Sequence, residues 1–365
     1  MNDDCFLQPL IERLLLYVGF QQTLAYVSTC RKRHKERKWL IEQSAIVDYK
    51  VSPQFVGGIV IKYQSAKVLY ITQVETLPAT LTHLTFIDIF NELLENVTPL
   101  DNVTLPSGLT HLTFGGHFNQ SLNSVTLPPK LTHLIFGDAF NQPLDNMSLP
   151  DNLTHLQFGK CFNQPLDNVK LPKALKHLKF GFGSEFNRAL EKVSLPPELT
   201  HLTFGDRFNQ SLDNVTLPAA LTHLTFGRDF TQPLEKLTLP PTLTHLTFGT
   251  CFDEPLDSVT LPPRLTHLTF GTYYNQPLNN VKLPLTLTHL KFGWHFNAPL
   301  DNLALPATLT HLMFGCEFNQ PLDNVTLPSG LKTLTFGSYF NQSLDNVKLP
   351  STLTRLRLLD TYNEF

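Results

Sequence analysis

Residues 131–152 read LTHLIFGDAFNQPLDNMSLPDN. The same stretch returns with small changes from Leu81 to Thr352, in twelve copies, and a thirteenth begins at Leu353 and stops half-built. The period is 22 residues, except for 28 in the first copy and 24 in the fifth. A fixed period of this size marks a solenoid, in which one small unit stacks on the next.

One copy can be read residue by residue. In LTHLTF, residues 221–226, alternation along a strand sets His223 and Thr225 on one side and Leu224 and Phe226 on the other. Gly227 follows, and the expectation is that it turns the chain through backbone conformations closed to other residues. A second aromatic comes four positions after the first, so stacking builds two aromatic columns. One runs from Phe86 to Phe336; the other runs from Phe90 to Phe340, with Tyr274 as its one substitution. A unit this small buries its apolar face only against its neighbours.

The asparagine after the second aromatic (Asn119, Asn141, Asn163, Asn209, Asn319) is expected to face inward and bond the backbone of adjacent turns. Thr231 and Asp253 interrupt that column. In the back half of a copy, QPLDNVTLP, the pattern turns Leu322, Val325 and Leu327 inward and Asp323 and Asn324 outward. Pro321 and Pro328 exclude a regular helix there, which leaves extended or single-turn structure.

The unit LxHLxFGxxFNQPLDNVxLPxx resembles a leucine-rich repeat, in which LxxLxL makes one short strand. It is more closely similar to the FNIP repeat, also written as an FGxxFN motif, of proteins from social amoebae and giant DNA viruses. The resemblance covers about three quarters of the chain. It implies a leucine-rich-repeat solenoid, α+β by content but mostly β and coil, of about twelve stacked repeats. A parallel β-sheet would line its concave face, and a small helical cap would precede it.

One column stands out chemically: His83, His111, His133, His155, His177, His201, His223, His245, His267, His289 and His311, with Thr333 ending the series. Strands in a sheet lie about 4.8 Å apart, so these imidazoles are expected to form a ladder on the concave face. Zinc needs convergent ligands at about 2.0–2.1 Å in a tetrahedron. A parallel stack does not converge, so a ladder supported by neighbouring threonines is the expected reading, and no metal. Adjacent imidazoles resist protonation together, which lowers their pKa values.

The chain divides into residues 1–45, 46–80, 81–352 and 353–365. In the first segment Leu10, Ile11, Leu14 and Leu15 follow helical spacing, Val27 and Cys30 suit a second helix, and Arg31 to Ile41 a basic third. Three short helices ending in CRKRHKERKW resemble a degenerate F-box, whose family pairs with a Skp-type adaptor. The departures are Leu7-Gln8-Pro9 in place of a Leu-Pro opening and a late tryptophan, Trp39. A plain helical cap over the first repeat is the other reading. In residues 46–80, IVIKY and KVLYI read as strands that join the solenoid. The longer first and fifth copies are expected to bulge as loops, a common place for partner contact.

Net charge is −3, which gives no whole-chain pull toward nucleic acid or membrane. The basic run from Arg31 to Lys38 reads as a solvated helix face. Five scattered cysteines form no metal or disulfide framework. No signal peptide or bilayer-length apolar run is apparent. Asn119, Asn209 and Asn341 sit in NQS acceptor sequences that an inward-facing asparagine would forbid from glycosylation. Together these point to an intracellular, cytoplasmic protein. No phosphate-cradling loop, HExxH or GxSxG occurs, so neither catalysis nor a cofactor is expected.

The rim aromatics and their neighbour, Tyr273, Trp294, His295 and Tyr339, are the candidate partner contacts. At the end of the array Leu356 and Leu358 lack an obvious cover, and solenoid ends need caps. The sequence therefore predicts a non-enzymatic protein-interaction protein. Either it is an F-box-like receptor that feeds a ubiquitin ligase, or it is a scaffold that self-associates as a homodimer through its terminal elements.

Overall fold

The computed structural model describes residues 46–49, 68–71, 77, 79–86, 104–301 and 303–358. Over these residues one fifteen-stranded sheet follows the chain in strict order, from β1 (Ile46–Tyr49) and β2 (Val68–Ile71) through β3 (His83–Phe86) to β15 (Arg355–Leu358). Every neighbouring pair is parallel. The register sets like on like: His245 faces His223 and His267, and Leu246 faces Leu224 and Leu268. This is a right-through stack, one short strand per repeat.

The strands exist because the unit alternates. Leu224 and Phe226 are buried, whereas His223 and Thr225 are half-buried on the opposite face. The leucine that opens each unit, such as Leu221 or Leu243, is fully buried. Behind the sheet, the back half of each unit makes tight turns: the Val325 N–H donates to the Leu322 carbonyl at 2.9 Å, and Leu331 to Pro328 at 3.0 Å. Leu322, Val325 and Leu327 are buried, and Asp323 and Asn324 are exposed. No helix occurs among the described residues. The KVLYI stretch carries β2, but the first strand is Ile46–Tyr49; IVIKY, Phe90 and the whole of residues 1–45 lie outside the described residues.

The two phenylalanines of a turn stack on each other at 3.9–4.3 Å between ring centroids. Between turns the first column repeats at 5.3–5.8 Å and the second at 6.1–6.3 Å. Imidazoles on the other face of the sheet repeat at only 4.0–4.2 Å. Spacing that widens steadily from the histidine face to the second aromatic column means that the stack curves with the histidines inside. The sheet lines the concave side.

Two expectations need correction. The glycine after the strand does not serve a left-handed turn: Gly183 alone has a positive φ among the described glycines. Gly227, Gly249, Gly271, Gly293 and Gly315 instead form a column in which each would-be Cβ falls on the carbonyl of the glycine one turn before. They are needed for close approach, not for conformational freedom. The asparagines, in turn, are not inward-facing; Asn119 is exposed and Asn141, Asn163, Asn209 and Asn319 are half-buried. Their side-chain carbonyls still build a ladder along the flank. Asn119 Oδ1 accepts from the Asn141 N–H at 2.8 Å, and Asn141 from Asn163 at 2.9 Å. The bond uses Oδ1 and needs no burial, so the exclusion of glycosylation drawn from it does not hold. Asp253 keeps an acceptor at that position, toward the Asn275 N–H at 2.8 Å.

Tyr274 takes a phenylalanine position in the second column. It is fully buried, and its hydroxyl has no partner. Burial pushes its pKa above the ordinary tyrosine value. An unsatisfied buried hydroxyl costs about 1–3 kcal/mol, so Tyr274→Phe should raise stability by an amount within that range in urea titration. A second pair of variants tests the glycine column. Gly249→Ala should destabilise by about 1–3 kcal/mol or more, as overpacking does. Gly108→Ala, whose nearest neighbour lies at 3.6 Å, should be close to neutral.

Candidate binding face

The concave face is built by three outward positions of each strand segment: a threonine, the histidine and the residue two further on. His223 stacks on His201 at 4.1 Å and on His245 at 4.2 Å, with planes within 11° of parallel. The same stack runs without a gap from His83 to His311.

Every ring of the stack but His177, which follows Lys176, is held by the threonine before it. The Thr110 hydroxyl lies 2.9 Å from His111 Nδ1 and 3.0 Å from the Thr82 carbonyl oxygen. The hydroxyl donates to that carbonyl, which also accepts the backbone N–H groups of Thr110 at 2.8 Å and His111 at 3.0 Å. With its one proton spent there, the hydroxyl accepts from the ring's Nδ1–H. The result is a row of stacked imidazoles anchored through Nδ1 to the sheet.

The stack resists a second proton on the ring. Burial first, and then the neighbouring His133 and His83, lower the pKa of His111 to about 4. His155 and His289 are likewise lowered to about 4, by burial and then by the histidines around them. Burial and neighbouring histidines also lower His201, His223, His245 and His267. Among the described residues no group of three or more His, Cys, Asp or Glu is placed to hold a metal ion.

The acids of the chain avoid this face. Across the three outward positions from Thr82 to Arg357 there is no Asp or Glu, and every charged residue is basic: Lys176, Lys179, Lys291, Lys332, Arg355 and Arg357. A second feature lies on the rim, in the loop between the two aromatics. Tyr273, His295, Glu317 and Tyr339 hold the same position in successive turns. Tyr273 stacks on His295 at 4.8 Å, and His295 Nδ1 meets Glu317 Oε1 at 2.9 Å. Each backbone N–H of the row donates to the turn before, as from Tyr273 to the Thr250 carbonyl at 2.9 Å, so the row sits on fixed backbone. Tyr273 and Tyr339 are 52% and 59% exposed, and Trp294 is half-buried beside them.

Among the described residues three cysteines are free thiols; Cys316 is buried, and Cys161 and Cys251 are half-buried. Leu356 and Leu358 are 47% and 63% exposed at the last strand. Leu10, Ile11, Leu14, Leu15, Val27 and Cys30 lie outside the described residues. Three exposed large apolar residues among those described, Leu285, Leu349 and Phe182, were not singled out from the sequence. Phe182, in the fifth-copy insertion, is 93% exposed; its signal was the insertion itself.

The parallel stack, the buried LxxLxF pattern and the absence of any helix among the described residues define a leucine-rich-repeat solenoid, of a kind typical of non-enzymatic interaction scaffolds. The FNIP Repeat profile matches it nine times between residues 96 and 360, from 96–139 to 318–360. The chain belongs to the FNIP repeat family. The structure is similar to that of CroV588, a circular leucine-rich-repeat protein of a giant virus, at 44% identity and a TM-score of 0.68. That match covers 80% of this chain and 45% of CroV588, so the chain spans less than half of that protein's length. The Drosophila Toll–Spätzle complex shares the fold at 14% identity and a TM-score of 0.50, over 79% of this chain and 41% of that one. No curated protein sequence matches. No helix among the described residues is long and apolar enough to cross a membrane.

The lowered histidine pKa values set the direction of a pH dependence. A histidine whose folded pKa is depressed contributes its full stability above the unfolded value, near 6.5. It loses that stability as pH falls toward the folded value, because the unfolded chain takes up the proton first. Each such proton steepens the loss by about 1.4 kcal/mol per pH unit. The urea midpoint should therefore be flat above pH 7 and fall between about 6.5 and 4. Replacing His201, His223 and His245 with Thr, the residue found at Thr333, should reduce that slope.

Proposed function

We propose that this protein is a non-enzymatic interaction scaffold that takes a protein partner on its concave face and rim. The observation that carries the reading is the chemistry of the face. It presents threonines, stacked imidazoles and basic side chains with no carboxylate, across thirteen consecutive strands. Rings held in a stack every 4.0–4.2 Å need no reordering to bind, and the rim beside them carries the aromatic residues that anchor interfaces.

The finer reading couples this face to an adaptor. Residues 6–45, on their resemblance to an F-box, recruit a Skp-type protein, and the solenoid supplies the target for ubiquitination. The scattered free thiols support an intracellular, cytoplasmic setting. A second reading rests on a different observation. Leu356 and Leu358 leave apolar surface uncovered at the last strand, which suits self-association as a homodimer through terminal elements.

The two readings part in one experiment. Full-length protein and a version lacking residues 1–45 are each co-expressed with a eukaryotic Skp-type adaptor, and the mass of each complex is measured in solution. Adaptor retained only by the full-length chain is the result expected from the receptor reading. A chain that binds no adaptor and runs as a dimer, with Leu356→Ser/Leu358→Ser reverting it to monomer, would replace that reading with the self-associating scaffold.

A further inference from the structure

Among the turns described throughout, the fifth, residues 175–198, is the one that is longer than the rest. Its sheet carries Lys176 and Lys179 where most turns have threonine, and its loop reads GFGSEF where others read GxxF. The two extra residues do not disturb the stack. Phe186 lies 6.1 Å from Phe162 and 6.1 Å from Phe208, the spacing of ordinary turns, and 4.0 Å from Phe180 within its own turn. The whole insertion is taken up by a tip.

That tip is a tight turn, Gly181-Phe182-Gly183-Ser184. The Ser184 N–H donates to the Gly181 carbonyl at 3.1 Å, and Gly183 has φ 70°. A positive φ at the third residue is the type II arrangement, which sets the second residue at the apex. The turn is tied on both sides. The Gly181 N–H donates to the Phe158 carbonyl at 2.8 Å, Glu185 to Lys160 at 2.7 Å, and Arg207 to Ser184 at 3.0 Å. The Gly183 N–H donates to Asp206 Oδ2 at 3.1 Å, and Ser184 is fully buried beneath. At the apex Phe182 is 93% exposed.

A large aromatic fully in water on an ordered turn contributes nothing to the stack. The deletion that would remove it leaves GSEF, a regular unit. Two basic residues precede it on the same strand segment, on a face without carboxylates. We propose that the fifth turn is the recognition epitope of the scaffold: Phe182 enters an apolar pocket of an acidic protein partner, and Lys176 and Lys179 meet its carboxylates. This rests on the scaffold reading above and adds the place and the chemistry of the contact.

Random twelve-residue peptides displayed on phage, panned on the full-length chain, supply the probe. The expected outcome is enrichment of peptides that combine Asp or Glu with a large apolar residue. Synthetic copies should bind the intact chain about tenfold or more tightly than they bind Phe182→Ser, Lys176→Thr/Lys179→Thr or the form lacking Phe182 and Gly183. All the replaced side chains are exposed, so melting temperatures of the substituted forms should stay at the parental value and separate lost contact from lost fold. Enriched peptides that bind every variant equally would overturn the fifth-turn assignment while leaving a binding solenoid in place. Failure of any peptide to enrich would overturn both.

Discussion

The distance between consecutive turns governs everything else in this structure. Strands paired in register fix that distance in the sheet, and the glycine column fixes it at the bend that follows, where each carbonyl lies where a Cβ of the next turn would be. Only with turns this close do the phenylalanines of one unit cover those of the next and the imidazoles touch face to face. A single unit has no inside. The core is a set of columns, so stability is a property of neighbours rather than of residues, as nearest-neighbour coupling predicts for repeat arrays.

The same spacing shapes the surface. Rings packed more tightly on the histidine side than in the second aromatic column bend the stack toward the histidines, and the concave face receives a ladder whose rings from His111 to His289 resist protonation because each is partly desolvated and flanked by others. The threonine hydroxyl beside all but one of these rings is part of that device, since it ties the ring to the backbone of the turn before. Against this uniform background the departures carry the information. Tyr274 puts an unsatisfied hydroxyl in the core, the row from Tyr273 to Tyr339 puts aromatics on the rim, and the fifth turn lifts Phe182 clear of the surface.

Much of this was legible in the sequence because repetition states the fold many times. The strand LTHLTF, the two aromatic columns, the histidine stack and the extended back half all follow from period and alternation. What was misread involves backbone, which periodicity does not report. Glycine at 227 has two physical uses, unusual φ or close approach, and the sequence signal for both is the same letter. Asparagine at 119 can join a ladder from the flank as well as from the inside, because its acceptor needs only the next turn's N–H. Phe182 was hidden by its neighbourhood: in GFGSEFNR it reads as one aromatic among many, and only the unchanged spacing of Phe162, Phe186 and Phe208 shows that it is surplus to the stack.

The central claim is that order passes from turn to turn through inter-turn contacts. Native-state amide hydrogen exchange on the full chain tests it most directly, through the donors that cross between turns, such as His223 to the Thr200 carbonyl at 3.0 Å and Arg355 to Lys332 at 3.0 Å. The account predicts strongest protection at the middle turns and a graded decline toward β15, which among the described residues pairs only with β14. Equal protection at His223 and Arg355, lost together in one all-or-none opening, would contradict it.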